Sequence, residues 1–524
     1  MPSNLWIKHL NKRINLGLVL ILLLATLLRV CLLSSIPNGF TQDEAINGYD
    51  AYSILKTGKD GFGVFLPMFV RSLNDYRESP HIFLLVPFIQ ILGLTELAIR
   101  LPSALIGVLT VLVVYYLAKE LFTQQIGLFA ALFLAISPWH IQFSRIGFGA
   151  ILVPFCFCLG LLFLLKSLKQ PLYLYLSALG FGLTLYTYAA ARVFTSLFLA
   201  GVLILFGQHF WRFKKQTAIA SIIFLTIFFI LLQFWISPEG MSRANFVGLV
   251  KDPIQLIQNY GSYFSPDFLF FNGDANLRHS PQGIGKLYWI EMITVPAGLF
   301  FLFKHGGKPR NVLLLWLFLY PIPAILTEPG HALRSIVGSP LFAILSAYGL
   351  VSIFEQFKLK SKQIAWVAAF LITINLSIFW KFYFIEYPKD ASYKVFRYGM
   401  KEAITYAENN ADRVIISNLF HHTHTFILFY TKYDPSLYQK SPLDSSVTFQ
   451  GQAGYSLGKY QIMPIAKNTK IESNSIIILM PKEKFILENA GYHLNLLKDI
   501  NNPKGKTEIQ IFKVKSTPML PQSL

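Results

Sequence analysis

Ile14-Asn-Leu-Gly-Leu-Val-Leu-Ile-Leu-Leu-Leu-Ala-Thr-Leu-Leu-Arg-Val-Cys-Leu-Leu-Ser34, with Thr41-Gln-Asp-Glu-Ala-Ile-Asn-Gly-Tyr49 close behind it, decides the class of this chain. The first stretch follows a basic head, Lys8-His-Leu-Asn-Lys-Arg13. It has the roughly 20 residues that a helix needs to cross the hydrocarbon layer. It is too long for a cleaved signal core and lacks a clear small-x-small site, so it reads as a retained first span. The second stretch sets two adjacent carboxylates, Asp43 and Glu44, just beyond the point where that span ends. A carboxylate pair held beside a bilayer has few uses other than chemistry. The loop it opens ends in Arg77-Glu-Ser-Pro80. An acid and then a cation at the membrane edge suggest a site that handles a lipid-linked phosphate.

The rest of the chain agrees with this class. Of 524 residues, 54% are hydrophobic and 14% are charged, where soluble proteins carry about 25% charged. Mean hydropathy is +0.48. The expected fold class is mainly α, a polytopic bundle of about eleven to thirteen spans with a small extracytoplasmic α/β domain at the C-terminus. The net charge of +19 is concentrated at the ends of apolar runs, as in Arg212-Phe-Lys-Lys215, Lys304-His-Gly-Gly-Lys-Pro-Arg310 and Lys358-Leu-Lys-Ser-Lys362. That is the positive-inside pattern, and it argues against a nucleic-acid partner. Cys31, Cys156 and Cys158 all lie in apolar runs and give neither a disulfide framework nor metal spacing.

Twelve apolar runs of spanning or near-spanning length lie between residues 14 and 385, and two of them, 80–93 and 125–139, are short. The basic loops put residues 1–13, 209–216, 304–310 and 355–362 inside the cell, which demands an odd number of crossings. Either one short run fails to cross or a longer one is a broken pair. The expected division is a membrane domain, 1–387, with outer loops 35–79 and 237–286, and a soluble domain, 388–524. On this topology the N-terminus is cytoplasmic. In the tail, 401–408 and 482–488 read as helices, and 413–417, 475–480 and 508–514 as strands.

Thr41 and Glu44 have the spacing of a capping box, which would engage Glu44 in starting a helix. Asp43 is not used by that box. It falls in the first helical turn, where the positive helix end favours a carboxylate, and can take a proton from an incoming hydroxyl. Asp43 and Glu44 are the candidate catalytic residues. The candidate substrate-binding residues are cations of the outer side: Arg77, His81, Arg145, Arg192, Arg278, His279, His331 and Arg334. Arginine suits phosphate through its forked donors, while snorkelling at a span end is the structural alternative. Asp267 and Asp274 would bind sugar hydroxyls or form turns, and Asn272-Gly-Asp274 is a strong turn former. The run His421-His-Thr-His424 lacks neighbouring carboxylates and reads as a polar loop. No metal ligand set and no cofactor are expected, with a divalent metal as the alternative.

At these residues the chain resembles the GT-C membrane glycosyltransferases, in particular the dolichyl-phosphate-mannose protein mannosyltransferase and aminoarabinose transferase superfamily. The resemblance rests on the first span followed by Asp43-Glu44-Ala45 and Tyr49, Ser79-Pro80, Arg100-Leu-Pro-Ser-Ala-Leu-Ile-Gly107, Ser137-Pro-Trp139 and Ser144-Arg145, and covers roughly residues 14–350. It implies a glycosyltransferase, hexosyl- or pentosyl-, that takes sugar from a polyprenyl-phosphate donor on the outer membrane face. The acceptor would be a glycan, lipid or protein. It also implies that Asp43 is the base and that basic residues hold the lipid phosphate. Two departures stand out: Glu78-Ser-Pro80 replaces the usual Lys-Pro-Pro, and Gly149 stands where many relatives carry an acid. A phosphate monoester is a good leaving group, so one base and a direct displacement predict inversion at C1. The competing readings are a transporter or flippase of a lipid-linked glycan, which would show repeat symmetry and mid-span charges, and a non-catalytic anchor that displays the tail.

Overall fold

The structure is a computed structural model, and it describes residues 3–72, 75–240, 248–358, 361–442 and 455–516. The chain divides into two compact units. The first comprises Met1–Leu33, Glu78–His81 and Arg100–Glu386, and the second Ser34–Arg77, Ile82–Ile99 and Tyr387–Leu524. On the C-terminal side the change of unit falls beside the expected boundary at 387. The first loop joins the same unit as the tail.

The first unit is helical. Five described helices are long and apolar enough to cross a membrane: Glu96–Leu121, Gly149–Ser167, Ala189–Arg212, Lys214–Trp235 and Gly338–Gln356. Ile222, Leu225, Phe229 and Ile230 leave Lys214–Trp235 with an open apolar face, which suits contact with lipid tails. Gly338–Gln356 is the opposite case and is buried almost throughout. Its Gly349 has no room for a side chain, because a Cβ there would sit 1.9 Å from the Thr294 carbonyl oxygen. The helix therefore packs backbone to backbone on Glu291–His305, the small-residue contact common in membranes. A further apolar pair of helices is bent, as in a broken span or a re-entrant turn: Gln124–Ile136 and Pro138–Ser144 meet at 60°. Pro138 breaks the helix, and Ser137 starts the next by accepting the His140 N–H at 3.3 Å.

The short run 80–93 forms the helix Ser79–Leu92. Its 14 residues extend about 21 Å, less than the hydrocarbon thickness. From Ile82 onward it belongs to the second unit, where Ile82, Leu85 and Ile89 share one core with Ala403, Val414 and Phe429. Protein covers Ile82, Leu85 and Ile89, while Ile91 stays exposed. The remaining shorter apolar helices are Leu16–Val30, Tyr173–Leu185 and Pro309–Ile325.

The second unit is built on a six-stranded sheet of β3 (Val414–Ser417), β4 (Tyr455–Leu457), β5 (Tyr460–Met463), β6 (Ile476–Leu479), β7 (His493–Asn501) and β8 (Thr507–Ser516), in the order β4-β5-β3-β6-β8-β7. β3 runs parallel to β5 and β6, and the other pairs are antiparallel. A separate two-stranded ribbon joins β1 (Phe69–Ser72) to β2 (Asp75–Glu78). In β6, Ile476 and Ile478 face one core and Ile477 and Leu479 the other. Burial on both faces explains why this strand reads as an unbroken apolar run. The first core also takes Phe40, Ala45, Tyr49, Ala51 and Ile54 from the first loop and its helix. All five tail elements expected from the sequence are present.

Candidate active site

Thr41 starts the helix Gln42–Thr57 through the expected capping box. Its Oγ1 accepts the Glu44 N–H at 3.1 Å, and Glu44 Oε2 accepts from the Thr41 N–H and hydroxyl at 3.0 Å each. Glu44 is fully buried in this exchange, whereas Asp43 beside it is partly exposed. The two carboxylates of the pair are thus separated by helix geometry, with one turned inward to the cap and the other left accessible.

Asp43, Asn47 and Asp50 fall at i, i+4 and i+7 and so share one face of that helix. Arg77 closes on the same face, with Nη1 donating to Asn47 Oδ1 and Nη2 to Asp50 Oδ2. Asp50 Oδ1 accepts the Gly61 N–H at 3.0 Å. Burial pushes the Asp50 carboxyl up to about 6, against the opposing pull of the Arg77 charge. Arg77, expected to meet substrate phosphate, is therefore engaged with a buried carboxylate. Sequence reading passed over Asn47 and Asp50, although the helical spacing from Asp43 was there to find them.

In the first unit, His279 and His331 come together, their ring centroids 4.6 Å apart, around Asp274. Asp274 does form the expected turn, its Oδ1 accepting the Asn276 N–H at 2.8 Å. Its Oδ2 also accepts from His279 Nδ1 and the Ala332 N–H, both at 2.8 Å. Burial pushes the Asp274 carboxyl up, but the His279 hydrogen bond and the nearby cations outweigh it and hold it well below the carboxylate range. Burial pulls the pKa of both histidines down, against the opposing pull of Asp274. Lys286 is buried in the same cluster, lowered to about 7, and its Nζ donates to the His279 carbonyl at 3.0 Å. Arg278 and Arg334 flank the histidines and are partly exposed. Arg334 Nη1 donates to Glu328 Oε1 at 3.0 Å and to the Thr327 hydroxyl. The turn at Ser137-Pro138 positions this cluster: Trp139 Nε1 donates to the Ala332 carbonyl at 2.9 Å and Gln142 Nε2 to the Arg278 carbonyl at 2.7 Å.

The other candidates in this unit have partners of their own. Arg192 Nη2 pairs with Glu78 Oε1 at 2.7 Å. Arg145 is buried, donates to the Leu28 carbonyl at 2.8 Å and lies against the Tyr383 and Phe384 rings. His81 Nε2 is 3.1 Å from Ser103 Oγ. A Cβ at Gly149 would stand 3.1 Å from His81 Cβ, tighter than an ordinary contact, so any side chain there needs His81 to give by a few tenths of an ångström. Among the described residues, Asp274, His279 and His331 form the one group of three metal-ligating side chains, and His421–His424 forms none.

The description "dolichyl-phosphate-mannose-protein mannosyltransferase" belongs to the family model that matches residues 80–236. ArnT from Cupriavidus metallidurans, solved in the apo state, superposes with a TM-score of 0.57 at 12% identity, over 94% of this chain and 97% of that one. The chain has a GT-C fold. The GT-C likeness also extends to ArnT solved with undecaprenyl phosphate, at a TM-score of 0.55 and 11% identity over 94% and 97% of the two chains. It extends further to the Archaeoglobus fulgidus oligosaccharyltransferase in its apo form, at a TM-score of 0.51 and 16% identity over 80% of this chain. The chain spans 63% of that oligosaccharyltransferase's length. No curated protein sequence matches it.

Proposed function

We propose that this protein transfers a sugar from a polyprenyl-phosphate donor to an acceptor hydroxyl at the outer face of the membrane. The observation that carries this reading is Asp43, a partly exposed carboxylate in the first turn of a capped helix, in a chain coextensive in fold with ArnT. That relative has been solved with undecaprenyl phosphate, which supports a lipid-phosphate donor here.

In the proposed reaction the acceptor oxygen attacks C1 of the sugar and its proton passes to Asp43. The bond from C1 to the phosphate oxygen breaks, and the electron pair leaves with the polyprenyl phosphate. A single displacement inverts C1. Arg278 and Arg334, both partly exposed, are the candidates in the first unit for contact with a phosphate group. Arg77 is assigned a positioning role on the Asp43 helix through Asn47 and Asp50. The N-terminus is placed in the cytoplasm and the sheet unit outside, as the basic loops direct.

The test is sugar transfer from a radiolabelled polyprenyl-phosphate sugar in proteoliposomes. Asp43→Asn is expected to lower kcat about 100-fold or more. An Asp43→Asn protein that transfers at the normal rate overturns the base assignment.

A further inference from the structure

We propose that the second unit binds a saccharide in a cleft of about 580 Å3 beside the helix Met400–Asn410. Every residue that lines the cleft belongs to that unit. The helix divides its residues between two surroundings. Met400, Ala403, Ile404 and Ala407 recur at the spacing of one helical face and pack into the core. Lys401, Glu402, Thr405, Tyr406, Asn409 and Asn410 make up the other face, and all six line the cleft. Arg397 and Tyr398 border it just before the helix, and Glu96, Tyr430 and Lys498 complete its walls.

The walls hold one another in place. Glu96 Oε1 accepts the Tyr430 hydroxyl at 2.8 Å, and Glu96 Oε2 accepts from Lys401 Nζ at 3.1 Å. Lys498 Nζ is 2.7 Å from Glu402 Oε1 and 5.6 Å from the centre of the Tyr406 ring. Tyr430 packs against the Phe426 and Phe429 rings. Asn410 Nδ2 donates to the Tyr406 carbonyl at 2.7 Å. Ion pairs this open to solvent add little to stability. Their effect here is to fix the direction of the groups around the cleft.

The lining selects the ligand by its chemistry. An apolar molecule would strip water from ammonium and carboxylate groups and give nothing back. A polyanion would meet Glu96 and Glu402, and a polycation would meet Arg397, Lys401 and Lys498. A sugar suits both kinds of wall. The C–H face of its ring packs on tyrosine, and its hydroxyls, which donate and accept, pair with amides, carboxylates and ammonium groups. Thr405 and Asn409 are exposed and supply a hydroxyl and an amide. The volume lies within the roughly 300–1,000 Å3 of small-ligand sites and admits a short oligosaccharide. This inference concerns what the second unit holds and stands apart from the transfer reaction.

The experiment uses the full-length protein in phosphatidylcholine nanodiscs, because maltoside detergents would themselves enter a sugar site. It is passed over an array of immobilised hexose, N-acetylhexosamine and uronate oligosaccharides, and over an array of short peptides as the competing ligand class. The strongest saccharide is then titrated in solution by calorimetry. Tyr406→Ala is expected to weaken its binding about fivefold or more. Asn409→Ala, an exposed change that spares the core, is expected to weaken it about threefold or more. Phe485→Ala removes an exposed aromatic ring of the same unit outside the cleft and is expected to bind as the wild type does. Monodisperse elution establishes that each variant is folded. The proposal is overturned if no saccharide on the array is retained, if peptides are retained and saccharides are not, or if the folded Tyr406→Ala and Asn409→Ala proteins both bind as tightly as the wild type. Binding is read without any sugar transfer, so this proposal and the proposed reaction can fail separately.

Discussion

Arg77 binds Asp50 through a guanidinium that also reaches Asn47, and so fastens the far end of the first loop to the helix that carries Asp43. Removing the arginine would strand a buried carboxylate. Arg77→Ala is expected to destabilise the protein by about 3 kcal/mol, as for other broken buried pairs. The pH dependence has a definite sign. The folded-state pKa of Asp50 is raised, so its favourable contribution is complete below about 4 and is lost as pH rises through about 6. Thermal unfolding measured from pH 4 to 7 should show this component, and Asp50→Asn should remove it.

Asp43 and Glu44 should separate cleanly on substitution. Glu44→Gln weakens a cap, so the expected loss is about 1 kcal/mol of stability, with transfer by the folded protein largely kept. Asp43→Asn should leave the unfolding midpoint almost unchanged and abolish most turnover. Parallel melting curves and single-turnover rates for the two variants make the comparison.

Asp274 accepts hydrogen bonds from His279, Asn276 and Ala332, and its pKa is lowered. A depressed carboxyl contributes stability that is complete above about 4 and is lost as pH falls further. Asp274→Asn is expected to cost about 2 kcal/mol at pH 7, the scale of hydrogen bonds to a charged group. The gap between variant and wild type should narrow below pH 4 in detergent-solubilised unfolding experiments.

A Cβ added at Gly149 would meet His81 Cβ at 3.1 Å, closer than an ordinary contact. Gly149→Ala should cost about 1–3 kcal/mol by overpacking, and Gly149→Asp more. A Gly149→Ala, His81→Gly double variant removes the Cβ that is met and should cost less than the sum of the two single changes, which a thermal-shift series would detect.

Much of this was legible from local chemistry. The capping box is a four-residue signal, and it is present at Thr41 and Glu44. The tail strands β3, β6 and β8 were marked by β-branched runs. The features missed depend on distant residues. Nothing local tells that Asp274 meets Ala332, 58 positions away. The run 80–93 is apolar enough to suggest a span, and only the core that it shares with the tail shows what covers it. Arg77, Arg145 and Arg192 read as free cations because their partners, Asp50, the Leu28 carbonyl and Glu78, lie 27, 117 and 114 residues off.

The core that unites Tyr49 and Ala51 with Val414 and Ile476 has a consequence for biogenesis. Ribosomes add about 5–20 residues per second, so the early segment that carries Asp43 must wait on the order of tens of seconds for its packing partners to be made. Until then its apolar side chains need a chaperone or the lipid surface. A chain cut short before β3 would retain every span yet deliver an N-terminal segment that never acquires its interior.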